Sequence, residues 1–467
     1  MRRLSLASSV LLLLGVSPGG LGPGAPVEPG PRSGLLVTVG EVTPRTAALW
    51  LRADDEAPVT VRYGPADGSD VTRTATATPE PRRDLTARVV LDGLAPATRY
   101  AYRLEQGPAT VAGEFGTAPE PDAHATVRLV WSGDLGGGGY CRDAEDGYRI
   151  FRAMAGRRPD LFLFVGDTIY ADHVCGRRAR ARGTDFVATT LAGYHAKHRY
   201  NRADHQVQHF FRGVAVFPIW DDHEVRNDFE GPLEPLMPVG RQAFLDYWPV
   251  RGPDEEPGRL YRSVRWGRHV EIFILDTRQY RSSKHVRDGP GKTMLGDEQR
   301  AWLLSRLPAS DATWKLVVSS VPLGIYTGGR EADAWSSANL LGFPRLGGTG
   351  FAFERDTVLE SLRRRGTRNL VFLTGEVHHA ELIRHEPVPG WSFHEFAAGP
   401  LSARPGYPRP LDRSLRSTSL GSLGWALNFG EITADADTMT VRIIDAGGGV
   451  RVVLRLPAAP PREEART

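Results

Sequence analysis

Short apolar runs that end in acidic residues or histidines recur along the second part of the chain. Residues 161–172 read LFLFVGDTIYAD, so five apolar residues lead directly to Gly166 and Asp167. A short continuous apolar run is typical of a strand buried on both faces. Runs of the same kind precede four more polar groups, at Asp134, at 221–224, at Asp276 and at 376–379. Open α/β sheets bind ligands beyond the carboxyl ends of their strands, so the pattern predicts that these side chains meet at one sheet edge.

The hydrophobic pattern also divides the chain into two parts. Residues 34–119 form short alternating runs separated by turn-forming pieces such as PADG, which predicts a β-sandwich of the immunoglobulin or fibronectin-III type. Residues 123–457 alternate strands with helices, and the helices are expected at 145–158, 184–202, 240–248, 297–307 and 355–365. Mostly β structure follows, including a strand expected at 425–433. The alternation predicts a two-sheet core with helices outside, and long loops at 172–184, 280–296 and 324–350 are expected to form the rim of a pocket.

The residue types at the expected sheet edge indicate a metal site. Aspartates, a glutamate and histidines from separate strands would share one partly dry pocket. Carboxylates crowded in this way cannot all ionise unless cations lie among them. The predicted pocket is therefore a site for cations.

Composition limits the classes of protein that fit. The 467 residues are 41% hydrophobic and 24% charged, which is typical of a globular protein with a sizeable core. The net charge of +3 is too small to indicate specific nucleic-acid binding. Arg2 and Arg3 precede an apolar stretch at 4–16 that is too short to span a bilayer, which predicts a secretory signal within 1–33, followed by a Gly- and Pro-rich linker. The paired arginines also permit a twin-arginine export route.

A secreted or periplasmic protein without a transmembrane segment in its mature chain is therefore expected. The polar residues 458–467 are expected to form a disordered tail. Cys141 and Cys175 each follow one of the proposed site strands by a few residues. In an exported protein a disulfide between these two loops is the first interpretation, and a single cysteine–metal bond is the alternative.

Six motifs distributed over the chain carry a resemblance to a known family. They are GEVTPRTAALWLRA, GDTIYAD, WDDHEVRND, LDTRQYR, TGEVHHAEL and HEFAAGPLSA. Together they resemble the PhoD-type alkaline phosphatases of the metallophosphoesterase superfamily. The resemblance implies an α/β fold, namely a four-layer α/β/β/α metallophosphatase sandwich preceded by an all-β sandwich domain.

The resemblance further implies a centre of two or more metal ions. Its ligands would be Asp134, Asp167, Tyr170, Asp222, Glu376 and His378. Asp167 would bridge two ions, and the phenolate of Tyr170 would bind the first, which implies Fe³⁺ there, with His378 completing that site. Asp134 stands where PhoD enzymes have a cysteine, and its carboxylate is a harder ligand than a thiolate. The oxygen ligands of the second site suit Ca²⁺, Mn²⁺ or Mg²⁺.

The implied reaction is the hydrolysis of phosphate mono- and diesters by a metal-activated hydroxide. His223 would stabilise or protonate the leaving-group oxygen, or else orient its loop as a core histidine. Arg278 would grip phosphate oxygens with its planar guanidinium, or else pair with a carboxylate. Asp221 and His379 are expected behind the ligands, because neighbouring side chains at a strand end point in opposite directions.

Substrates implied by the resemblance are small organic phosphates, and also phosphodiester polymers such as teichoic acids, or phospholipids. Two other functions compete with this one. A mononuclear iron redox enzyme would use one histidine and two carboxylates and would bind one metal ion per chain. A surface binding protein would use its β-sandwich and carry an inactive phosphatase domain, although a relic would be expected to have lost candidate ligands.

Overall fold

The computed structural model of the protein describes residues 34–68, 72–137, 139–175 and 181–459. The secretory signal and linker expected at 1–33 lie outside the described residues, as does most of the tail expected at 458–467. Within the described part of the chain, no helix is both long enough and apolar enough to cross a membrane.

The N-terminal part consists of strands. They are β1 (Leu36–Gly40), β2 (Ala47–Arg52), β3 (Val59–Pro65), β4 (Arg73–Ala77), β5 (Thr86–Leu91), β6 (Arg99–Gln106) and β7 (Ala109–Gly116). Strands β3, β4, β6 and β7 form one antiparallel sheet, in the order β4-β3-β6-β7. Side chains along β3 and β6 alternate between buried and more exposed positions, as expected for a sheet with one face on a core.

Strands and helices alternate in the next part of the chain. The strands are β8 (Val127–Ser132), β9 (Leu161–Val165), β10 (Ala215–Ile219), β11 (Arg262–Trp266), β12 (Val270–Ile274), β13 (Trp314–Ser319) and β14 (Leu370–Thr374). The helices are α1 (Ile150–Gly156), α2 (Leu191–Arg202), α3 (His205–Phe211), α4 (Met237–Tyr247), α5 (Gly296–Ala309) and α6 (Ala352–Arg364). The chain then returns to strands, which are β15 (Ala380–Val388), β16 (Trp391–Ala397), β17 (Thr418–Leu423), β18 (Asn428–Ala434), β19 (Thr438–Asp445) and β20 (Val450–Pro457).

Two large sheets form the core of the described residues. One has nine strands in the order β20-β19-β18-β8-β9-β10-β1-β2-β5, and the other has seven in the order β11-β12-β13-β14-β16-β15-β17. Strands β8, β9 and β10 are mutually parallel, and so are β12, β13 and β14. Each sheet therefore presents a row of carboxyl ends at one edge, where the sequence pattern predicts the site.

The two sheets pack against each other with helices outside. Along β12, Ile272 and Ile274 belong to the cluster shared with the first sheet, whereas Phe273 belongs to the cluster formed with α5 and α6. On the other side of the molecule, Phe162 of β9 lies 5.6 Å from Phe210 of α3, ring centroid to ring centroid. The alternation of side chains along these strands thus separates two cores, and the predicted layered α/β architecture is confirmed.

The first sheet continues from the core into the N-terminal part. Strand β1 runs parallel to β10 and pairs Gly40 with Val216. A Cβ atom on Gly40 would lie 2.5 Å from Pro249 Cγ and 2.7 Å from the Val216 carbonyl oxygen, so only glycine permits this approach. The guanidinium of Arg262 also donates two hydrogen bonds to the carboxylate of Glu41, at 2.9 and 2.7 Å. The N-terminal strands and the core therefore share one sheet.

Several elements differ from their expected positions. The helix expected from 145 begins at Ile150, because the preceding turn is held by Asp143 Oδ1, which accepts from the backbone amides of Glu145 and Asp146. The helix expected from 184 begins after Thr190, whose hydroxyl accepts from the amide of Gly193 and caps it. The single strand expected at 425–433 is a connection followed by β18. Strands β4 and β17 and helix α3 were not predicted.

Candidate metal centre

The candidate ligands follow the carboxyl ends of neighbouring parallel strands. In the first sheet, Asp134 lies two residues beyond β8, Asp167 two beyond β9, and Asp222 three beyond β10. In the second sheet, Glu376 lies two residues beyond β14, and His378 follows it before β15 begins. Both sheets therefore deliver their acidic and imidazole side chains to the same edge of the core.

The backbone at these positions adopts an uncommon conformation. The φ angles are +64° at Asp134, +50° at Asp167, +67° at Glu376 and +56° at His378. Left-handed backbone is unfavourable for residues with a side chain and is concentrated at functional sites, where the surrounding structure holds it in place. Four of the six candidate ligands thus have left-handed backbone.

One cluster joins Asp134, Asp167 and His378. A carboxylate oxygen from each aspartate and a ring nitrogen of the histidine all lie within 4.8 Å of one another. The Nε2 atom of His378 is 3.4 Å from Asp134 Oδ1 and 3.1 Å from the hydroxyl of Tyr170. The other ring nitrogen, Nδ1, is 2.9 Å from the carbonyl oxygen of Arg404, which fixes the orientation of the ring.

A second group of clusters extends from the first through Asp167. This residue, Asp222 and His223 offer ligand atoms within 4.8 Å of one another, and so do Asp221, Asp222 and Glu376. Asp167 is therefore shared between the His378 side and the Asp222 side of the site. A carboxylate in this position is suited to contact two cations at once.

The donor atoms of these clusters fit cations. Among the described residues, Asp134 Oδ2, Asp167 Oδ2 and Asp222 Oδ1 are buried and have no hydrogen-bond partner. Burial, together with the neighbouring carboxylates, raises the pKa values of Asp167 and Glu376 well above the usual range. Unpaired buried carboxylate oxygens are costly unless a positive charge satisfies them. The chemistry of the donor set thus fits metal ions bound between Asp134, Asp167, Tyr170, Asp222, Glu376 and His378.

His223 lies beside these ligands and is held by an acidic partner. Its Nδ1 atom is 2.7 Å from Asp172 Oδ1, and its ring stacks on Tyr170 with 4.1 Å between ring centroids. Burial lowers its pKa, but the carboxylates of Asp222 and Asp172 outweigh burial and raise that pKa to about 9. The Asp172 carboxylate therefore orients the imidazole, and in the metal-free protein the two carboxylates favour its protonated form.

The side chain of Arg278 lies buried between two carboxylates. Its side chain is fully buried, its Nη1 and Nη2 atoms donate to the carboxylate of Asp333 at 2.9 and 2.7 Å, and its Nε donates to Asp221 Oδ1 at 2.5 Å. These contacts occupy both edges of the guanidinium. Of the two interpretations left open by the sequence, they favour pairing with carboxylates over a grip on phosphate.

The residues expected behind the ligands have structural partners. Asp221 Oδ1 accepts from Arg278 and from the Ser320 hydroxyl, although Asp221 Oδ2 has no partner within the described part of the chain. His379 is buried, and its Nδ1 atom is 2.9 Å from the Val377 carbonyl oxygen.

Two further acidic side chains at the strand ends hold the backbone of the site. Glu224 accepts from the amide and hydroxyl of Thr168 and from the amide of Asp221, which ties two strand-end turns together. Asp276 accepts from the Trp220 indole at 2.8 Å and belongs to no ligand cluster among the described residues.

Several site residues come from loops that carry no periodic pattern. Asp172 accompanies His223, while Asp228 and Asp333 form a cluster with Asp222. The only sequence feature that points to Asp172 is its place at the end of the GDTIYAD motif. Asp333 lies in the long loop expected to form the rim, and nothing in its neighbourhood distinguishes it from a solvated acid.

The two cysteines meet near the first cluster. Cys141 and Cys175 are joined by a disulfide, with 5.8 Å between their Cα atoms. The bond connects the loop after β8 to the loop after β9. It therefore links the segments that follow Asp134 and Asp167.

Comparison with protein families identifies two matching models. Residues 135–443 match the model of the PhoD-like phosphatase, and residues 29–119 match the model of the PhoD-like phosphatase N-terminal domain. The first match alone covers more than half of the chain. The family resemblance drawn from the sequence motifs is thereby confirmed.

Individual relatives agree with these matches. The chain is 27% identical over 352 residues to alkaline phosphatase D of Bacillus subtilis (strain 168), an alignment that covers 66% of this chain but only 56% of that relative. A solved structure of PhoD has a TM-score of 0.74 at 20% identity and covers 91% of this chain and 90% of its own. A purple acid phosphatase from yellow lupin (Lupinus luteus) seeds has a TM-score of 0.65 at 15% identity and covers 91% of this chain and 74% of its own. These two structures show the same fold.

Proposed function

The chain belongs to the PhoD-like phosphatase family, and from this premise we propose that it is a metal-dependent phosphatase and phosphodiesterase. The observation that carries the proposal is the shared position of Asp167 between two clusters of buried, partly unpaired ligand atoms. A mononuclear iron redox site would need only the cluster around His378. It would leave the second cluster, around Asp222 and Glu376, without a role.

The two clusters differ in the ions that they would prefer. Asp134, Asp167, Tyr170 and His378 combine hard oxygen donors with an imidazole, which supports Fe³⁺ at the first position. Asp222 and Glu376 offer carboxylate oxygens alone and support Ca²⁺, Mn²⁺ or Mg²⁺ at the second. Bound at these positions, cations would lower the pKa of a water molecule and offset negative charge on the phosphoryl group.

The side chains of the site would supply the remaining chemistry. His223 would hold a proton that the Asp172 carboxylate stabilises, and would deliver it from the ring nitrogen that Asp172 does not hold to the leaving-group oxygen. Asp172 would keep the ring in one orientation and stabilise its positive charge. Arg278 would hold Asp221 beside Asp222, and so act on the position of the ligands.

The proposal is tested by elemental analysis together with hydrolysis of bis-(p-nitrophenyl) phosphate and p-nitrophenyl phosphate. We expect two or more metal ions per chain, iron among them, and turnover of both esters. The variant Asp167→Asn should lose bound metal, and its turnover should fall by roughly 100- to 1,000-fold, because several kcal/mol of charge stabilisation are removed.

A matched control separates this effect from a general loss of charge. Asp297→Asn changes an exposed aspartate in the first turn of α5 and should retain both metal and turnover. Full activity in metal-free protein would overturn the proposal. A single metal ion per chain would instead favour the mononuclear site.

We propose further that the protein is exported. The charged and apolar N-terminal stretch supports this location, and so does a disulfide between Cys141 and Cys175, because disulfides persist in oxidising compartments. Cell fractionation, with mass spectrometry of the mature N-terminus, tests the proposal. Protein that stays in the cytosol with an uncleaved N-terminus would contradict it.

A further inference from the structure

Two exposed aromatic side chains lie on segments that pack against the strand end carrying His378. Tyr407 is 56% exposed and Trp425 is 70% exposed. Their rings stack on each other with centroids 5.3 Å apart and planes inclined by 23°. Single exposed apolar residues are common, but a stacked pair in the open offers a flat apolar surface to another ring.

Backbone hydrogen bonds connect the segments of this aromatic pair to His378. Strands β15 and β17 are antiparallel and pair Ala380, two residues after His378, with Leu423, two residues before Trp425. The Trp425 amide donates to the Gly406 carbonyl oxygen at 2.7 Å, and the Gly406 amide donates to the His378 carbonyl oxygen at 2.6 Å. A Cβ atom on Gly406 would lie 3.1 Å from the Val377 carbonyl oxygen, so the segment that carries Tyr407 packs directly on the strand end of the site.

The pair also lies where the two sheets are connected. Trp425 belongs to the link between β17 of the second sheet and β18 of the first, and β18 pairs with β8, the strand that leads to Asp134. Among the ligands of the first cluster, His378 is the more exposed one, with 27% of its side chain accessible. The segments that carry the aromatic pair are therefore linked through Gly406 to the most exposed ligand of the first cluster.

The backbone of Trp425 is strained. Its φ angle is +59°, a conformation that is a true outlier for a bulky residue. Its ring nevertheless gains little from burial, since most of it faces solvent. Strain of this kind persists where the surrounding structure enforces it and is concentrated at ligand sites.

We propose that Tyr407 and Trp425 form a stacking subsite for a planar aromatic ring in the organic part of the phosphate ester. This inference rests on the proposed phosphatase function. The expected substrates are esters whose oxygen bears an aromatic or heteroaromatic ring close to phosphorus. Alkyl esters would reach the same metal centre without this contact.

Phosphonates test the subsite without hydrolysis, because their carbon–phosphorus bond is not an ester. Titration calorimetry on the metal-containing protein would compare phenylphosphonate, cyclohexylphosphonate and methylphosphonate. Phenylphosphonate should bind roughly tenfold more tightly than methylphosphonate, which corresponds to about 1.4 kcal/mol. Cyclohexylphosphonate should bind clearly less tightly than phenylphosphonate, because its ring is not planar.

Variants of the two aromatic residues test whether the tighter binding of phenylphosphonate depends on them. Trp425→Leu keeps apolar bulk and should reduce the phenyl-to-methyl ratio toward one, whereas Trp425→Phe keeps a ring and should retain most of it. Tyr407→Leu should act in the same direction as Trp425→Leu. The matched control Phe353→Leu alters another exposed aromatic residue, at the start of α6, and should leave the ratio at its wild-type value.

Each outcome bears on the subsite alone. A wild-type ratio near one, equal binding of the phenyl and cyclohexyl compounds, or a ratio that survives in folded Trp425→Leu would overturn the inference. If one variant unfolds, the wild-type ratio and the other variants still decide. Hydrolysis of bis-(p-nitrophenyl) phosphate is measured separately. If the phosphatase function is wrong, this ester is not turned over; if only the subsite is wrong, turnover is retained and the ratio of phenylphosphonate to methylphosphonate affinity is near one.

Discussion

Replacing Arg278 distinguishes a structural cation from one that grips phosphate. The Arg278→Met variant keeps the volume of the side chain but leaves Asp221 and Asp333 without their shared guanidinium. Breaking a buried ion pair costs about 3–5 kcal/mol. Asp333 keeps a 2.8 Å hydrogen bond from Arg281, and Asp221 keeps one from Ser320, so we expect a value near the lower end, about 3 kcal/mol.

Thermal unfolding provides the assay. Unfolding entropies near 2.1 cal/mol/K per residue imply about 1 kcal/mol per degree for a chain of 467 residues, so Tm should fall by about 3 °C. The control is Arg157→Met, which removes a similar two-bond contact to Glu431. Glu431 keeps Arg442 at 3.0 Å and Arg157 is partly exposed, so that variant should lose about 1 kcal/mol or less.

The outcome that refutes this reasoning is specific. If Arg278→Met melts at the wild-type temperature while kcat/KM falls by about 100-fold or more, the guanidinium acts on substrate and not on the carboxylates. Arg278→Lys is informative beside it. A lysine keeps the charge but cannot serve both carboxylates with a planar fork, so it should recover only part of the stability.

Three further predictions follow from the site. Metal-free protein should lose stability as pH rises from about 7 to about 8, because Asp167 and Glu376, with raised pKa values in the fold, and His223, with its pKa of about 9, hold protons there that the unfolded state has released. In this range the buried histidines with lowered pKa values, His198, His379 and His394, are largely neutral in both states and do not oppose the effect. The Tm of chelated protein across this range checks the sign, and a Tm that rises with pH would contradict it. Tyr170→Phe removes a hydroxyl 3.1 Å from His378 Nε2 and should lower the iron content per chain while the second metal is retained; unchanged iron in elemental analysis would remove Tyr170 from the ligands. Reduction of the disulfide, whose cysteines are 34 residues apart, should cost about 4 kcal/mol of unfolding free energy; two alkylatable thiols in mature, non-reduced protein would show that no bond forms.

The hydrophobic pattern was sufficient to predict the layered fold and the edge at which the site lies. Asp134, Asp167 and Glu376 each follow a buried apolar run, and parallel strands bring such positions together without any further information. A local pattern of this kind shows where a strand ends. It does not show which turn follows, so the left-handed backbone at Asp167 and Glu376 was not predicted.

The same reasoning does not identify site residues that come from loops. Asp333 joins Arg278 from a long loop whose course is fixed by tertiary contacts and not by periodicity. The sequence pattern places Trp425 at the start of the strand expected at 425–433. Its positive φ and its position between β17 and β18 result from the connection between the two sheets. A prediction made for one element at a time has no information about that connection.

The pairing of β1 with β10 has a consequence for dissecting the protein. A fragment that begins after residue 119 would lack β1, and the side of β10 that β1 covers would then carry unpaired backbone groups. An open edge of this kind recruits other chains and leads to aggregation. We therefore expect that residues 120–467 cannot be expressed as an independent module, and that chimeras which exchange residues 1–119 for an unrelated β-sandwich will be insoluble unless the new partner supplies a matching edge strand.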